Sequence, residues 1–200
     1  MRSLRWFVSL PCILVFGALG CDYGAEALHV VSPDKYTANG NDKGMVAGAS
    51  LLSPSESKKY LDHDLTDGWE VVLVVIENKG SEMLLIQNHD FTLSASEGKT
   101  VHAVEWTAPY RMYENDVASD SVLLGVAASG EQSANEDMAH DWSRKSWPEQ
   151  FMLKPSQRRG SLVFFPHLAG TPPYFIHVEA AGAKTNATTS VDLQLSQAKK

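Results

Sequence analysis

The residue best placed to do chemistry is Cys21, in the run Ala18-Leu19-Gly20-Cys21 at the end of an apolar segment. Arg2 and Arg5 give a positive start, Trp6 to Phe16 is almost wholly apolar, and small residues precede the cysteine as a peptidase site requires. A second set of candidates is the dipeptide His-Asp, which occurs at His63-Asp64, His89-Asp90 and His140-Asp141. Imidazoles and carboxylates converging from separate loops would suit zinc or copper. Asp62-His63-Asp64 with Asp67-Gly68 has the look of a calcium loop, but the spacing fails. Asp67 stands where the loop glycine belongs, and Leu73 where the bidentate glutamate belongs.

The N-terminal pattern resembles the signal of bacterial lipoproteins, which implies a lipidated, palmitate-bearing Cys21 as first mature residue after a signal peptide of residues 1–20. Ala18 departs from the leucine more often found there. Asp22 after the cysteine implies, in enteric Gram-negative bacteria, retention in the inner membrane facing the periplasm. A spanning helix is the poorer reading, because the uncharged stretch Trp6–Gly20 is shorter than the roughly 20 residues needed. Ordinary signal-peptidase cleavage after Ala25-Glu26-Ala27 remains the rival, and leaves the Gly-Cys junction unexplained.

Removing residues 1–20 moves the formal charge from −7 to about −9. Such an acidic chain is a poor ligand for nucleic acid and for anionic lipid headgroups, both of which attract Lys/Arg clusters. The chain has 2 cysteines, Cys12 in the discarded segment and Cys21 at the anchor. No internal disulfide, cysteine metal site or thiol nucleophile is therefore expected in the exported domain. No Gly-x-Ser-x-Gly, His-Glu-x-x-His, phosphate-cradling glycine loop or Cys-x-x-Cys occurs, so no catalytic residue, cofactor or metal is assigned.

The elements that would position these groups read as mostly β. Residues 21–44 are rich in Gly, Ser, Pro, Asn and Asp and read as a lipidated cysteine plus flexible tether, with the folded domain spanning 45–200. Ser53-Pro54-Ser55-Glu56 predicts a helix start that runs to about Leu65. Val71 to Ile76 is a run of six aliphatic residues, the signature of a strand buried on both faces. Asn78-Lys79-Gly80-Ser81 predicts a turn, with Met83–Ile86 returning. Phe91 and Leu93, then His102, Val104 and Trp106, each read as one face of a strand. Residues 107–157 read as an insertion, with a helix start at Ser133-Ala134-Asn135-Glu136 that buries Met138 and Trp142 and stops before Pro148. Strands resume at Ser161–Phe165, at Tyr174–Glu179 with Tyr174, Ile176 and Val178 on one face, and at Val191–Leu195.

About eight short strands without βαβ rhythm predict a two-layer antiparallel β-sandwich, immunoglobulin-like in type, with one or two short helical insertions. The succession Val71-x-Leu73-x-Val75-Ile76-Glu77-Asn78-Lys79-Gly80, then Asp90-Phe91-x-Leu93, then Leu153-Lys154-Pro155 and Gly160-x-Leu162-x-Phe164-Phe165-Pro166 is similar to small immunoglobulin-like domains of unknown function on bacterial secreted proteins and lipoproteins. That resemblance implies fold and brings no catalytic residues.

The insertion collects Trp106, Tyr110, Tyr113, Trp142 and Trp147. Tyr110, Tyr113, Trp142 and Trp147 either form a partner surface, since loops on rigid sandwiches carry function, or close a second small core, the arrangement favoured here. Two function classes follow. One is a non-enzymatic binding or interaction module of the cell envelope, held to the membrane by its lipid anchor and engaging an envelope protein. The other is an extracytoplasmic hydrolase or metal-dependent enzyme assembled from the His-Asp loops.

Overall fold

The computed structural model describes residues 25–113, 128–170 and 172–195. The signal segment, Gly20, Cys21 and most of the apolar patch Val122–Ala128 lie outside them. The strands are β1 (Ala38–Asp42), β2 (Met45–Leu51), β3 (Trp69–Asn78), β4 (Leu84–Gln87), β5 (Phe91–Ala95), β6 (Thr100–His102), β7 (Gln150–Leu153), β8 (Arg158–Pro166), β9 (Tyr174–Gly182) and β10 (Thr188–Leu195). Two helices, α1 (Pro54–Leu61) and α2 (Ala128–Lys145), join a helical segment at residues 107–113.

The strands form two antiparallel sheets. The first has the order β1-β2-β3-β8. In the second, β9 is the spine: one edge pairs with β10 along its length, and the other pairs with β5 at residues 174–178 and with β4 at 181–182. Strands β6 and β7 extend β5 and β4 respectively. Strict alternation places Tyr174, Ile176, Val178, Val191, Leu193 and Leu195 between the sheets, where they meet Val72, Val74 and Ile76 of β3.

The opposite face of β3 explains its unbroken aliphatic run. Val71 and Leu73 point outward, yet join a second core with Leu162, Phe164, Tyr60, Leu61, Tyr110, Met138 and Trp142. The expected two layers are therefore three: a helical layer covers the outer face of the first sheet, and β3 is buried on both sides.

Local chemistry set α1 as expected at its start. Ser53 Oγ accepts from the Glu56 amide at 3.3 Å while the Glu56 carboxylate accepts from the Ser53 amide at 2.8 Å, a reciprocal capping box with Pro54 in the first turn. The helix ends at Leu61, not near Leu65, because Asp62 turns left-handed at φ 61° and the buried Ser57 hydroxyl donates to the His63 carbonyl and accepts from the Leu65 amide. Four carbonyls at a helix C-terminus lack intrahelical partners, and here each has a named one. Lys58 O accepts from Asp62 N, Lys59 O from Glu26 N, Tyr60 O from Lys145 Nζ and Leu61 O from Trp142 Nε1. The end of α1 is thus the point where α2 and the N-terminal segment both dock.

That N-terminal segment differs from the expected free tether. The first strand, β1, lies inside it, closed onto β2 by a two-residue turn with Lys43 at φ 44° and Gly44 at φ 89°, the geometry of a type I′ hairpin. Before β1, residues 28–36 cross the outer face of the first sheet. Gly160, Val75 and Gly48 are partners in one cross-strand row there. A Cβ on Gly160 would stand 2.7 Å from the Val30 methyls, and one on Gly48 would stand 2.5 Å from the Pro33 carbonyl oxygen. The two glycines make a trough in which this strap lies, with Leu28 and Tyr36 against the helical-layer core.

Other connections also depart from expectation. The chain after β3 does not form a hairpin but crosses to the second sheet, where β4 pairs with β7 and β9. Asn78 holds the crossing: its side-chain amide donates to the Glu82 and Leu153 carbonyls at 2.7 and 2.9 Å, and its Oδ1 accepts from Gly80 N at 2.9 Å. Strand β6 ends at His102, and Val104 bridges to Phe164 of β8 instead of continuing it. Helix α2 already runs through Ser133, so the capping-box signal there marks no start, while its stop before Pro148 agrees with expectation. Strand β7 falls inside the span read as insertion.

Candidate functional site

Of the aromatic residues weighed as partner surface or second core, Tyr110, Tyr113 and Trp142 take the favoured place, in a second core. Trp142 is fully buried, stacked on Phe164 at 6.2 Å and met edge-on by Tyr110 and Tyr113 at 5.8 and 6.1 Å. Tyr110 donates its hydroxyl to Asn135 O and Tyr113 to Asp64 O. Trp147 lies in the other core, 5.5 Å from Phe91. The physical reason is the apolar outer face of the first sheet, which needs ring area to cover Val71, Leu73, Leu162 and Phe164. Next to Trp147, the Arg159 guanidinium lies 4.4 Å from the Phe151 ring centroid and donates to Ser161 Oγ and Ser146 O. Burial there lowers its pKa.

The three His-Asp pairs sit on separate elements, and each carboxylate has a local partner. Asp64 accepts from Thr66 N and Oγ1, which together hold its pKa down. Asp90 faces His89 at 3.3 Å, and Asp141 pairs with Lys145 at 2.6 Å. His63 stacks on Tyr113 at 4.4 Å, and burial lowers its pKa. Among the described residues, no three or more His, Cys, Asp or Glu side chains are placed to hold a metal ion. The same residues contain no helix long and apolar enough to cross a membrane.

A further acid-base contact closes the end of the sandwich, where Glu70 Oε1 meets His167 Nδ1 at 3.1 Å. Burial raises the Glu70 pKa, while the His167 charge and hydrogen bond pull it down. At the opposite end, the Glu82 carboxylate fills a nest of donors on the β9–β10 turn, the Lys184 and Thr185 amides and Thr185 Oγ1, which lower its pKa. The cavities nearby are small. One of about 180 Å³ is bordered by Asn78, Glu82 and Thr189, and one of about 210 Å³ by Tyr36, Ser50 and Leu195. Both fall below the roughly 300 Å³ at which pockets for small organic ligands begin.

The outer face of the second sheet carries part-exposed and exposed side chains. Its side chains stand in rows set by the strand register. His102, Thr92, His177 and Asp192 are successive partners across β6, β5, β9 and β10, and Thr100, Ser94, Phe175 and Gln194 form the next row. A further row runs Met152, Leu85, Ala181 and Thr188. Phe175 is 36% and Met152 40% exposed. His177 sits between two carboxylates, with Nδ1 2.8 Å from Asp192 and Nε2 3.6 Å from Glu179. The Ser94 and Thr100 hydroxyls bond each other at 2.9 Å. The face thus sets hydrogen-bonding groups around a partly exposed phenyl ring. That composition suits recognition of another macromolecule, because aromatic anchors with polar surrounds dominate such interfaces. The signal for it in the sequence is Phe175, an aromatic on the wet phase of an otherwise regular alternation.

No protein-family model matches this chain. No curated protein matches it either. Among solved structures, the yjhA protein from Bacillus subtilis is similar over 80% of this chain and 98% of its own, with a TM-score of 0.43 and 8% identity. A putative lipoprotein, ycdA, from Bacillus subtilis subsp. subtilis str. 168 is similar over 78% of this chain, with a TM-score of 0.40 and 12% identity. This chain spans 38% of the length of that second protein.

Proposed function

We propose that this chain is a membrane-anchored lipoprotein of the cell envelope that acts as a non-enzymatic interaction module. Its domain is an immunoglobulin-like β-sandwich presenting the open face of the second sheet to an envelope protein. The anchor is acyl chain on Cys21, exposed by cleavage after Gly20. In a Gram-negative cell, Asp22 favours the inner membrane, with the domain in the periplasm. More than one acyl chain would make the attachment stable, at roughly 0.8 kcal/mol per buried methylene.

The observation that carries the reading is asymmetry of cover. Strap and helices cover the outer face of the first sheet and themselves expose Val30 and Met112, whereas the equivalent face of the second sheet carries Phe175 and Met152 directly on its strands. An aromatic ring set among hydrogen-bonding groups on a sheet face is the composition an interface of this kind would use. The experiment is co-purification from detergent-solubilised membranes, comparing wild type with Phe175→Ser/His102→Ala and with Lys58→Ala on the helical side. A partner retained by wild type and Lys58→Ala but lost from the double variant supports the reading. A partner set unchanged by the double variant removes the face from it.

A further inference from the structure

The strap has a consequence for how the domain is held. Glu26 N donates to Lys59 O at 2.8 Å, its carboxylate pairs with Lys59 Nζ at 3.3 Å, and Val31 N reaches the Tyr36 hydroxyl at 3.4 Å. From Glu26 onward, the segment is therefore fastened to α1 and to the Gly48/Gly160 trough, not free. Only residues 22–25 separate this fastening from Cys21. At about 3.5 Å per residue, that leash reaches at most about 18 Å. A free tether as far as Met45 would reach about 85 Å by the same measure.

We propose that the domain is held against the lipid surface with its helical side toward the bilayer, so that the open face of the second sheet points away from it. This rests on the lipid anchor at Cys21 proposed above. A domain of this size is about 40 Å across, from a radius of gyration near 16 Å. The leash is shorter than the body it holds, so it restricts orientation as well as distance. The fastening point lies at the end of α1, in the layer outside the first sheet. Two further layers separate it from Phe175, His177 and Gln194.

The domain has no cysteine after Cys21, so single labels are clean. The lipidated full-length protein is reconstituted in vesicles carrying nickel-chelating headgroups, with a spin label at Lys58→Cys or at Gln194→Cys. Nickel-induced relaxation is expected to be at least about fivefold stronger at position 58 than at 194, since the effect falls steeply with distance. Inserting twenty Gly/Ser residues between Tyr23 and Gly24 lengthens the leash without touching the fold, and should bring the ratio close to one. Equal relaxation at both positions in lipidated, membrane-bound wild type overturns the posture while leaving the anchor intact. So does a ratio that survives the insertion. If Cys21 carries no lipid and the protein does not pellet with vesicles, anchor and posture fall together.

Discussion

Replacing Lys145 by methionine tests the hub at the end of α1. The Lys145 side chain is 8% exposed, and its ammonium donates to Tyr60 O at 2.7 Å and to Asp141 at 2.6 Å. Methionine keeps most of the aliphatic stem in place, so the loss is electrostatic. Tyr60 O is one of the carbonyls α1 cannot satisfy internally, and a hydrogen bond from a charged group is worth about 1.5–3 kcal/mol net. The pair with Asp141 adds less, because the aspartate is 27% exposed and water screens it. The expected destabilisation is about 3 kcal/mol, or a fall in melting temperature of roughly 6–12 °C for a domain of this size. Urea unfolding followed by tryptophan fluorescence reads it directly, since Trp142 lies one turn from the substitution. Lys59→Met is the matched control: its ion pair with Glu26 is exposed on both sides and should cost under about 0.5 kcal/mol. If Lys145→Met costs no more than that control, the docking of α2 on α1 does not depend on these bonds, and the hub account is wrong.

Three other outcomes follow from particular contacts. Gly160→Val places methyls where Val30 lies and should release the strap, raising hydrogen exchange at the Glu26 and Val31 amides while the sheet amides stay protected; unchanged exchange would mean that the trough does not hold it. Asn78→Ala removes three hydrogen bonds at the crossing between sheets and should cost about 2–4 kcal/mol in denaturant unfolding. His63, with its pKa lowered by burial, binds fewer protons folded than unfolded, so its share of stability is full above the ordinary value near 6.5 and is lost as pH falls below it. The loss of stability between pH 7 and pH 5 should accordingly shrink in His63→Phe, and an equal loss in both proteins would contradict the assignment.

What the sequence made legible was whatever local chemistry decides. The six aliphatics of β3 announced burial on both faces, β9 and β10 alternated with period two, and the Ser53/Glu56 pair marked the start of α1. The rest depended on tertiary contacts. Asn39-Gly40-Asn41-Asp42 reads as tether because it has no apolar side chain, yet it forms β1 through backbone pairing with β2 and the Asp42 carboxylate's bonds to Thr189 and Ser190. Gly40 is small there because a Cβ would meet Val191 at 2.6 Å. The turn residues after Asn78 do bond locally, but nothing local says whether the chain folds back on β3 or crosses to the other sheet. Nothing local says that glycines 48 and 160 make room for the strap. For the candidate site, ring count alone left partner surface and second core both open, and the favoured second core is what Tyr110, Tyr113 and Trp142 form over the apolar sheet. Phe175 was the better signal, since its phase on β9 already placed it outside the core.

The central claim, an envelope domain held close to its membrane by Cys21, is most directly tested by metabolic labelling with palmitate of wild type and Cys21→Ala. Wild type should take up label and pellet with membranes, whereas Cys21→Ala should remain folded, unlabelled and in the soluble fraction. Label retained by Cys21→Ala, or absent from wild type, would contradict the claim.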